Sequence, residues 1–227
     1  MLQSIDKKKI YFYFFLLLIL LSIHNQNFIN SLNNFFKIKK IIISKNIDES
    51  LNNKINKELS KFYNFNIFFI NTQELKDILD NFNIISEYNV KKEYPSALKI
   101  DLKKTDIVAY YFKNNHKVFV GENGKEIKDI KIKNKNIPII EGKINIEKLL
   151  SLNNLLKSND LVLYDFIKFY LHKSNRWDLI YKKNITIKLP VDNLEFAIDL
   201  LKNIINSDKI NNIKIIDLRI KNNIVLS

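Results

Sequence analysis

Few residues of this 227-residue chain are of the types that carry out chemistry. The chain has no cysteine and three histidines, His24, His116 and His172, and the lack of cysteine excludes disulfides, thiolate metal sites and a cysteine nucleophile. We expect His116, beside a predicted turn, and His172, near a predicted helix end, to be solvated. No Gly-rich phosphate loop, HExxH, GxSxG or metal-ligand spacing is present. The sequence therefore predicts no catalytic, cofactor or metal site, and a protein that is not an enzyme.

The net charge of +13 raises the question of nucleic-acid binding, because clustered Lys and Arg neutralise phosphates. Here the lysines are spread along the whole chain, and only Arg176 and Arg219 are arginines, the residue type that base and phosphate recognition favours. We therefore do not predict a nucleic-acid partner. Hydrophobic residues at 46% are sufficient to build folded cores.

The N-terminus carries an apolar block, residues 10–23, directly after the three lysines of residues 7–9. A buried core helix is disfavoured because the block has no polar face. A cleaved signal peptide is disfavoured because no small-x-small cleavage site follows. We predict an uncleaved signal anchor that extends over 10–29, with residues 1–9 as a cytoplasmic tail and the bulk of the chain outside the inner membrane.

The segment after the apolar block alternates helical and extended patterns. Residues 35–44 read as a strand, and helices are predicted over 47–62, with Asp48 as N-cap, and over 71–82, where Asn71 and Glu74 resemble a capping box. A hairpin follows around Pro95, with Leu98, Ile100 and Leu102 on its buried face. The order strand, helix, helix, strand, strand is that of a small α+β unit.

The second half reads mainly as hairpins. Turns are predicted at Asn114-Asn115 and Asn123-Gly124, because asparagine and glycine tolerate the left-handed conformation that tight turns need. The other elements predicted here are a short edge segment closed by Gly142, a helical stretch over 149–170, a hairpin over 176–190, and an amphipathic helix that starts at Asp192 with Phe196, Leu200, Leu201 and Ile204 inward. Trp177 is either a binding residue or, as we favour, part of the core.

The hairpin "SEYNVKKEYPSALKIDL" resembles the V-x-(K/R)-x-(F/Y)-P-x-x-L-x-I pattern of the FtsQ/DivIB cell-division family, through Val90, Tyr94, Pro95, Leu98 and Ile100. The likeness continues in family order from about residue 5 to the C-terminus. Further similar segments are "NIFFINTQELKDIL", "FVGENGKEI", "IPIIEG" through Pro138 and Gly142, and "KIIDLRI" through Asp217, Leu218 and Arg219.

The chain also departs from the family pattern. "SKN" stands where a glycine usually follows the first strand, and "KKTDIVAYY" keeps Val108 and Ala109 of the entry to the second domain but lacks its acidic residue and its proline. These departures concern the joint between the domains.

The resemblance implies an α+β fold: one N-terminal transmembrane helix, a POTRA domain over 35–105, and a mixed β-domain of hairpins with helices over 106–227. It also implies a scaffold of the division machinery, a single-pass type II protein of the inner membrane at the septum. Such a scaffold would link early and late division proteins, bind FtsB and FtsL, and contact other division proteins through the POTRA domain. The alternative is another POTRA-containing membrane assembly or secretion factor.

The C-terminal edge strand is the predicted binding site, by strand addition to its free N–H and C=O groups. We expect Asn222-Asn223 to turn the chain so that 224–226 pair with 218–220, leaving an apolar outer edge. Arg219 is left open between a partner contact and a surface ion pair. The residues predicted to contact the partner are Arg219, Ile220, Ile224, Val225 and Leu226.

Overall fold

The computed structural model describes residues 7–23, 26–44, 47–128, 130, 136–207, 213–220 and 223–227. The chain divides into two compact units, Met1–Lys103 and Lys104–Ser227. Their composition confirms the predicted α+β class: the first unit is mixed helix and strand, and the second is rich in sheet.

The first seven elements build the first unit. They are α1 (Lys7–Ile23), α2 (Gln26–Phe35), β1 (Lys40–Ile43), α3 (Glu49–Leu59), α4 (Thr72–Asp80), β2 (Ile85–Glu93) and β3 (Ala97–Lys104). A short 3₁₀ turn, Ser60–Phe62, continues α3. From β1 onward the order is β-α-α-β-β, as predicted.

The three strands of this unit form one sheet in the order β1-β3-β2, with β1 and β3 parallel. Period-two alternation buries Leu98, Ile100 and Leu102 on one face of β3. These side chains pack with apolar residues of α3 and α4, such as Leu59 and Leu79, in a single hydrophobic core. The predicted buried face of the hairpin is therefore confirmed.

The helices α3 and α4 start near the predicted positions, but only the predicted N-cap side chain of α4 makes a capping hydrogen bond. Asn71 accepts hydrogen bonds from the backbone N–H groups of Gln73 and Glu74, at 3.0 and 3.3 Å. The Glu74 carboxylate binds the Lys61 ammonium at 2.6 Å, which differs from the reciprocal bond of a capping box. Asp48 occupies the N-cap position of α3, but its side chain makes no capping hydrogen bond.

The N-terminal segment differs from the predicted 20-residue helix followed by a long strand. α1 ends at Ile23, and a separate amphipathic helix, α2, occupies the end of the predicted anchor and the start of the predicted strand. The apolar residues of α2 recur every three positions between polar ones, at Ile29, Leu32 and Phe35, which is a helical spacing. Because α2 occupies the start of the predicted strand, the strand is reduced to β1. In the part of the chain that the structure describes, no helix combines the length and apolarity needed to cross a membrane.

The second unit contains nine strands and two helices among its described residues. They are β4 (Ile107–Lys113), β5 (His116–Gly121), β6 (Glu126–Ile127), β7 (Ile139–Gly142), α5 (Ile146–Ser158), β8 (Phe166–Leu171), β9 (Trp177–Tyr181), β10 (Ile185–Lys188), α6 (Leu194–Ile205), β11 (Ile215–Asp217) and β12 (Val225–Leu226). All nine strands form one sheet in the order β12-β11-β10-β9-β8-β7-β4-β5-β6.

Two of the parallel pairs in this sheet are connected by crossover helices, whereas the parallel pair β4–β7 is not. β7 pairs with β8 through α5, and β10 pairs with β11 through α6, whereas β4–β5, β8–β9, β9–β10 and β11–β12 are antiparallel. Both helices share one core with the inward residues of the strands, including Phe169, Leu179 and Ile187. The opposite face of the sheet carries the more polar side chains.

The turn predictions hold where asparagine or glycine adopts positive φ. Asn114 and Asn115 have φ of 51° and 61° between β4 and β5, and Gly124 has φ of 76° in the turn before β6. The hairpin of β9 and β10 is also confirmed, with Leu179 opposite Ile187.

The segment that ends at Gly142 was predicted to be an edge, and this is wrong. β7 lies inside the sheet, between β4 and β8. Its partner β8 is far along the chain and reached only through α5, so its central position cannot be read from local sequence. Gly142 has φ of 81°, and a Cβ built there would lie 2.3 Å from the Leu171 carbonyl oxygen.

The predicted helix over 149–170 is correct only in its first part. α5 ends at Ser158, where Asp160 adopts φ of 58°, and residues 166–171 form the strand β8. A register shift between Phe166 and Lys168 breaks the two-residue period of β8, so that its buried phenylalanines stand three apart and imitate helical spacing.

The last helix, α6, begins at Leu194, two residues after the predicted start. The predicted inward residue Phe196 is exposed, and Leu200 is half-buried. Ala197 and Ile198 occupy the buried face together with the predicted Leu201 and Ile204.

Candidate functional site

The side chains able to do acid–base chemistry are dispersed. His116 is exposed, and His24 lies outside the described residues. His172 follows a strand and not a helix: its Nε2 lies 2.7 Å from Asp178 Oδ2, and Arg176 Nε lies 3.2 Å from Asp178 Oδ1. The prediction of a solvated His172 is therefore wrong. Over the described ranges, no group of three or more His, Asp or Glu residues could hold a metal ion.

Trp177 belongs to the core of the second unit. It is 3% exposed, and its ring meets Phe169 edge-on with centroids 6.4 Å apart. The favoured interpretation of Trp177 as a core residue is confirmed.

The C-terminal strand β12 is the outermost described strand at one end of the nine-stranded sheet. The described elements include four edge strands, β1, β2, β6 and β12, and of these β12 alone has no charged side chain. Four of the five predicted contact residues lie on β12 or beside it as exposed apolar side chains: Ile220, Ile224, Val225 and Leu226. An apolar edge of this kind is a site for strand addition unless it is covered.

The opposite end of the sheet is protected by charge. Glu126 of β6 accepts a hydrogen bond from the Tyr111 hydroxyl and lies 3.4 Å from the Lys113 ammonium. The Tyr111 bond, with a contribution from Lys113, lowers the pKa of the Glu126 carboxyl, while burial and the carboxylate raise the pKa of Tyr111 to about 12. Charged groups on a short edge disfavour pairing with another strand.

The register of the terminal hairpin differs from the predicted one. Leu226 lies opposite Ile216, and Val225 lies opposite Asp217, so the hairpin uses residues two positions earlier than 218–220. The strand β11 ends at Asp217, and the Leu218 N–H donates to the Lys188 carbonyl at 2.9 Å, which continues the parallel pairing with β10 by one bond. Asn222 of the predicted turn lies outside the described residues.

This register determines which main-chain groups of β12 face outward. Ser227 and Ile215 exchange two hydrogen bonds, from each N–H to the other's carbonyl, at 3.2 and 2.8 Å. Since hydrogen-bonded and non-hydrogen-bonded pairs alternate in antiparallel ladders, Val225 also directs its N–H and C=O to β11. The N–H and C=O of Leu226 then point away from β11, toward the sheet edge.

Arg219 lies beside this edge and forms an ion pair with Asp217. Arg219 Nε lies 2.8 and 3.0 Å from the two carboxylate oxygens, and the Arg219 backbone N–H also donates to Asp217. The Arg219 hydrogen bonds lower the pKa of the Asp217 carboxyl, and the charge of Lys188 lowers it further. The Asp217 side chain is 14% exposed and that of Arg219 is 40% exposed, so the guanidinium remains accessible to an acidic group.

The strand pairing also aligns a charged row on the polar face of the sheet. Asp178 lies opposite Lys188, and Lys188 lies opposite Asp217, so charges of opposite sign alternate from β9 to β11. The Asp178 charge also acts on Arg219. Sequence patterns do not reveal this row, because it depends on the pairing of three strands, one of them reached only through α6.

Two sequence models of known families match this chain, and they divide it near the same position as the two structural units. The sequence model of "POTRA domain, FtsQ-type" matches residues 36–104, and that of "Cell division protein FtsQ/DivIB, C-terminal" matches residues 109–219. The protein named "Cell division protein FtsQ" of Rickettsia bellii (strain RML369-C) is 31% identical over 192 residues, which cover 82% of this chain and 70% of the relative.

Two further relatives of the same name cover the same shares of both chains. The protein of Rickettsia conorii (strain ATCC VR-613 / Malish 7) is 30% identical over 192 residues. That of Rickettsia felis (strain ATCC VR-1525 / URRWXCal2) is 30% identical over 199 residues. The matched C-terminal segment includes Asp217 and Arg219 at its end.

Proposed function

Because the chain belongs to the FtsQ/DivIB family of cell-division proteins, we propose that it is a non-catalytic scaffold of the division machinery that captures FtsB through its C-terminal edge strand. The observation that carries this proposal is the apolar edge strand β12, whose Leu226 N–H and C=O point outward. A partner segment adds as a further antiparallel or parallel strand and pairs with these groups.

Arg219 supplies specificity in this proposal. Its guanidinium is held beside the edge by Asp217 and remains accessible, so an acidic side chain of the added strand can bind it. The other side-chain contacts come from Ile220, Ile224 and Val225, which are apolar and exposed. Strand addition orders the partner, and the acidic contact fixes its register.

The proposed domain organisation places the scaffold across the inner membrane. Residues 1–9 form the cytoplasmic tail, 10–29 the membrane anchor, 35–105 the POTRA domain and 106–227 the β-domain. Supporting the anchor, the apolar side chains of residues 10–21 are exposed all round α1, which suits lipid contact, and the lysines of residues 7–9 favour the cytoplasmic side.

The length of α1 requires some accommodation by the bilayer. Its 17 residues extend about 26 Å at 1.5 Å per residue, of which the apolar residues 10–23 account for about 21 Å, compared with a hydrocarbon thickness of about 30 Å. Local bilayer thinning and snorkelling of the flanking lysines offset a difference of this size. The protein is then a single-pass type II protein at the septum, with FtsL joining through FtsB and other division proteins contacting the POTRA domain.

Binding of FtsB to the full-length chain in lipid nanodiscs tests the proposal. Leu226→Pro removes the outward N–H but leaves the inward bonds of Val225 and Ser227 in place. One lost hydrogen bond of about 1–1.5 kcal/mol corresponds to a roughly tenfold weaker Kd. Leu226→Val keeps the N–H and is expected to stay within about threefold of the wild type.

Wild-type affinity for the Leu226→Pro chain would place the FtsB site elsewhere. Circular dichroism of the same samples verifies that both variants are folded. Val225→Pro provides a second comparison, because it removes an inward bond to β11 and frays the hairpin itself.

A further inference from the structure

An exposed aromatic patch lies on the first unit, outside the proposed partner-binding edge. We define it as Phe35, Phe36, Phe68, Phe69 and Tyr94. Four of the rings form a continuous series: Phe35 to Phe36 at 5.2 Å, Phe36 to Phe68 at 4.9 Å and Phe68 to Tyr94 at 5.1 Å between centroids. Phe69 is 84% exposed, and all members except the half-buried Phe36 are exposed. Contiguous exposed rings of this kind mark an interaction surface.

The backbone beneath the aromatic patch is firmly held. The Ile67 N–H donates to the Phe36 carbonyl at 2.9 Å, and the Ile38 N–H donates to the Phe65 carbonyl at 2.9 Å. Ile38 and Ile67, the neighbours of these rings along the chain, are fully buried in the core of the unit. The fold therefore turns these segments so that the isoleucines face inward and Phe68 and Phe69 face solvent.

The aromatic patch continues into the exposed apolar stripe of α2. Phe35 is the last residue of α2, and Ile29 and Leu32 extend its exposed apolar stripe toward α1. α1 in turn exposes apolar side chains on all sides. The exposed apolar side chains of α2 thus lead into the aromatic patch, and α2 begins three residues along the chain after the end of α1.

Basic side chains accompany the patch. The rings of the patch lie in three segments of the chain, residues 35–40, 61–69 and 91–96. Together these segments contain six lysines and one acidic residue, Glu93. The lysines are Lys37, Lys39, Lys40, Lys61, Lys91 and Lys92, and of these Lys61 forms an ion pair with Glu74 at 2.6 Å. Aromatic rings favour the headgroup level of a bilayer, and lysines beside them bind anionic lipid phosphates.

We propose that the aromatic patch and the apolar stripe of α2 lie on the lipid bilayer at headgroup level, so that the POTRA domain is docked on the membrane and not only tethered to it. The inference rests on the proposed membrane anchor. A lipid surface, and not a second protein, is the occupant we infer, because the patch continues into the apolar stripe of α2, which begins three residues after the proposed anchor helix, and because the segments that carry its rings are rich in lysine.

Single-cysteine labelling tests this docking in the full-length chain, which has no native cysteine. An environment-sensitive fluorophore is placed at Phe69→Cys in the patch, at Glu87→Cys and at Leu16→Cys. Glu87 is an exposed control near the other end of β2, roughly 20 Å along the strand from Tyr94. The vesicles contain phosphatidylethanolamine and phosphatidylglycerol, with nitroxide lipids that quench at shallow or deep positions.

We expect the shallow nitroxide to quench the fluorophore at position 69 at least twofold more than that at position 87. Equal quenching at the two positions would overturn the inference. Protection of position 69 from aqueous iodide without nitroxide quenching, rising with the protein-to-lipid ratio, would also overturn it and assign the patch to contact between copies of the chain.

The fluorophore at position 16 reports separately on the anchor. Deep quenching at position 16 with no quenching at position 69 refutes the docking and leaves the anchor standing. Lack of deep quenching at position 16 refutes the anchor of the proposed function, and the quenching at position 69 still decides whether the patch contacts lipid.

Discussion

Gly142→Ala perturbs the centre of the nine-stranded sheet at one defined contact. Gly142 has φ of 81°, and a Cβ there would lie 2.3 Å from the Leu171 carbonyl oxygen and 3.2 Å from its carbon. The left-handed conformation costs about 1–2 kcal/mol for a residue with a Cβ. Relieving the contact separates β7 from β8 and weakens the 2.8 Å bond from the Lys143 N–H to the same oxygen, worth about 1 kcal/mol. With the distortion of the sheet, we expect a total loss of about 4 kcal/mol.

Gly124→Ala is the matched control. Gly124 has nearly the same φ, 76°, but its added Cβ would meet only the Leu150 Cδ1 atom at 3.4 Å, an ordinary contact with a side chain. We therefore expect only the conformational cost of about 1–2 kcal/mol. The difference between the two variants isolates the close approach of β7 to β8.

Urea unfolding of the full-length chain in detergent micelles measures both costs. Trp177 is the only tryptophan and is buried in the core of the second unit, so its fluorescence reports on the unit that holds both glycines. Equal losses of unfolding free energy in the two variants would refute the central position of β7 and the close contact with Leu171.

Three further predictions concern the hairpin, the edge and the topology. Ile100→Asp should cost about 4 kcal/mol of unfolding free energy, because it buries an unpaired charge. Lys99→Asp, on the other face of β3, should change stability by about 0.5 kcal/mol or less in the same thermal melts. Similar losses in the two variants would contradict the assigned buried face of β3. Arg219 lowers the pKa of the Asp217 carboxyl, so the ion pair stabilises the fold fully above the unfolded pKa of about 3.9, and this stabilisation disappears as the pH falls through the lower folded pKa. The unfolding free energy that Asp217→Asn loses in urea titrations should therefore shrink from about pH 7 to about pH 3. A loss that stays constant with pH would contradict this. A reporter that works only in the periplasm should be active when fused after Ser227, and activity of a cytoplasmic reporter there would contradict the proposed topology.

Local patterns predicted those elements whose geometry depends on adjacent residues. The alternation of Leu98, Ile100 and Leu102 identified the buried face of β3, and Asn114-Asn115 identified a turn because both residues tolerate positive φ. The prediction for β8 failed because a register shift between Phe166 and Lys168 interrupts the two-residue period, so that the buried residues of this strand have helical spacing. Long-range pairing also decided that β7 is central, and no local signal carries that information.

The candidate site was predictable in its position but not in its hydrogen bonding. The short apolar segment 224–226 indicated an edge strand, and β12 is found at the sheet edge. The register depends on the pairing of β12 with β11, and β11 is itself held by parallel pairing with β10, a strand before α6. The cluster of His172, Arg176 and Asp178 lies at the local hairpin between β8 and β9, and it was not predicted because the residues up to 170 were interpreted as helix.

Amide hydrogen exchange at the edge strand tests the proposed capture of FtsB most directly. The full-length chain in nanodiscs is compared with and without FtsB at single-residue resolution. The outward N–H of Leu226 should exchange at least tenfold more slowly when FtsB is bound, because it gains a partner carbonyl. The Val225 N–H already pairs with β11 and should change much less. Binding of FtsB with no added protection at Leu226 would contradict strand addition at β12.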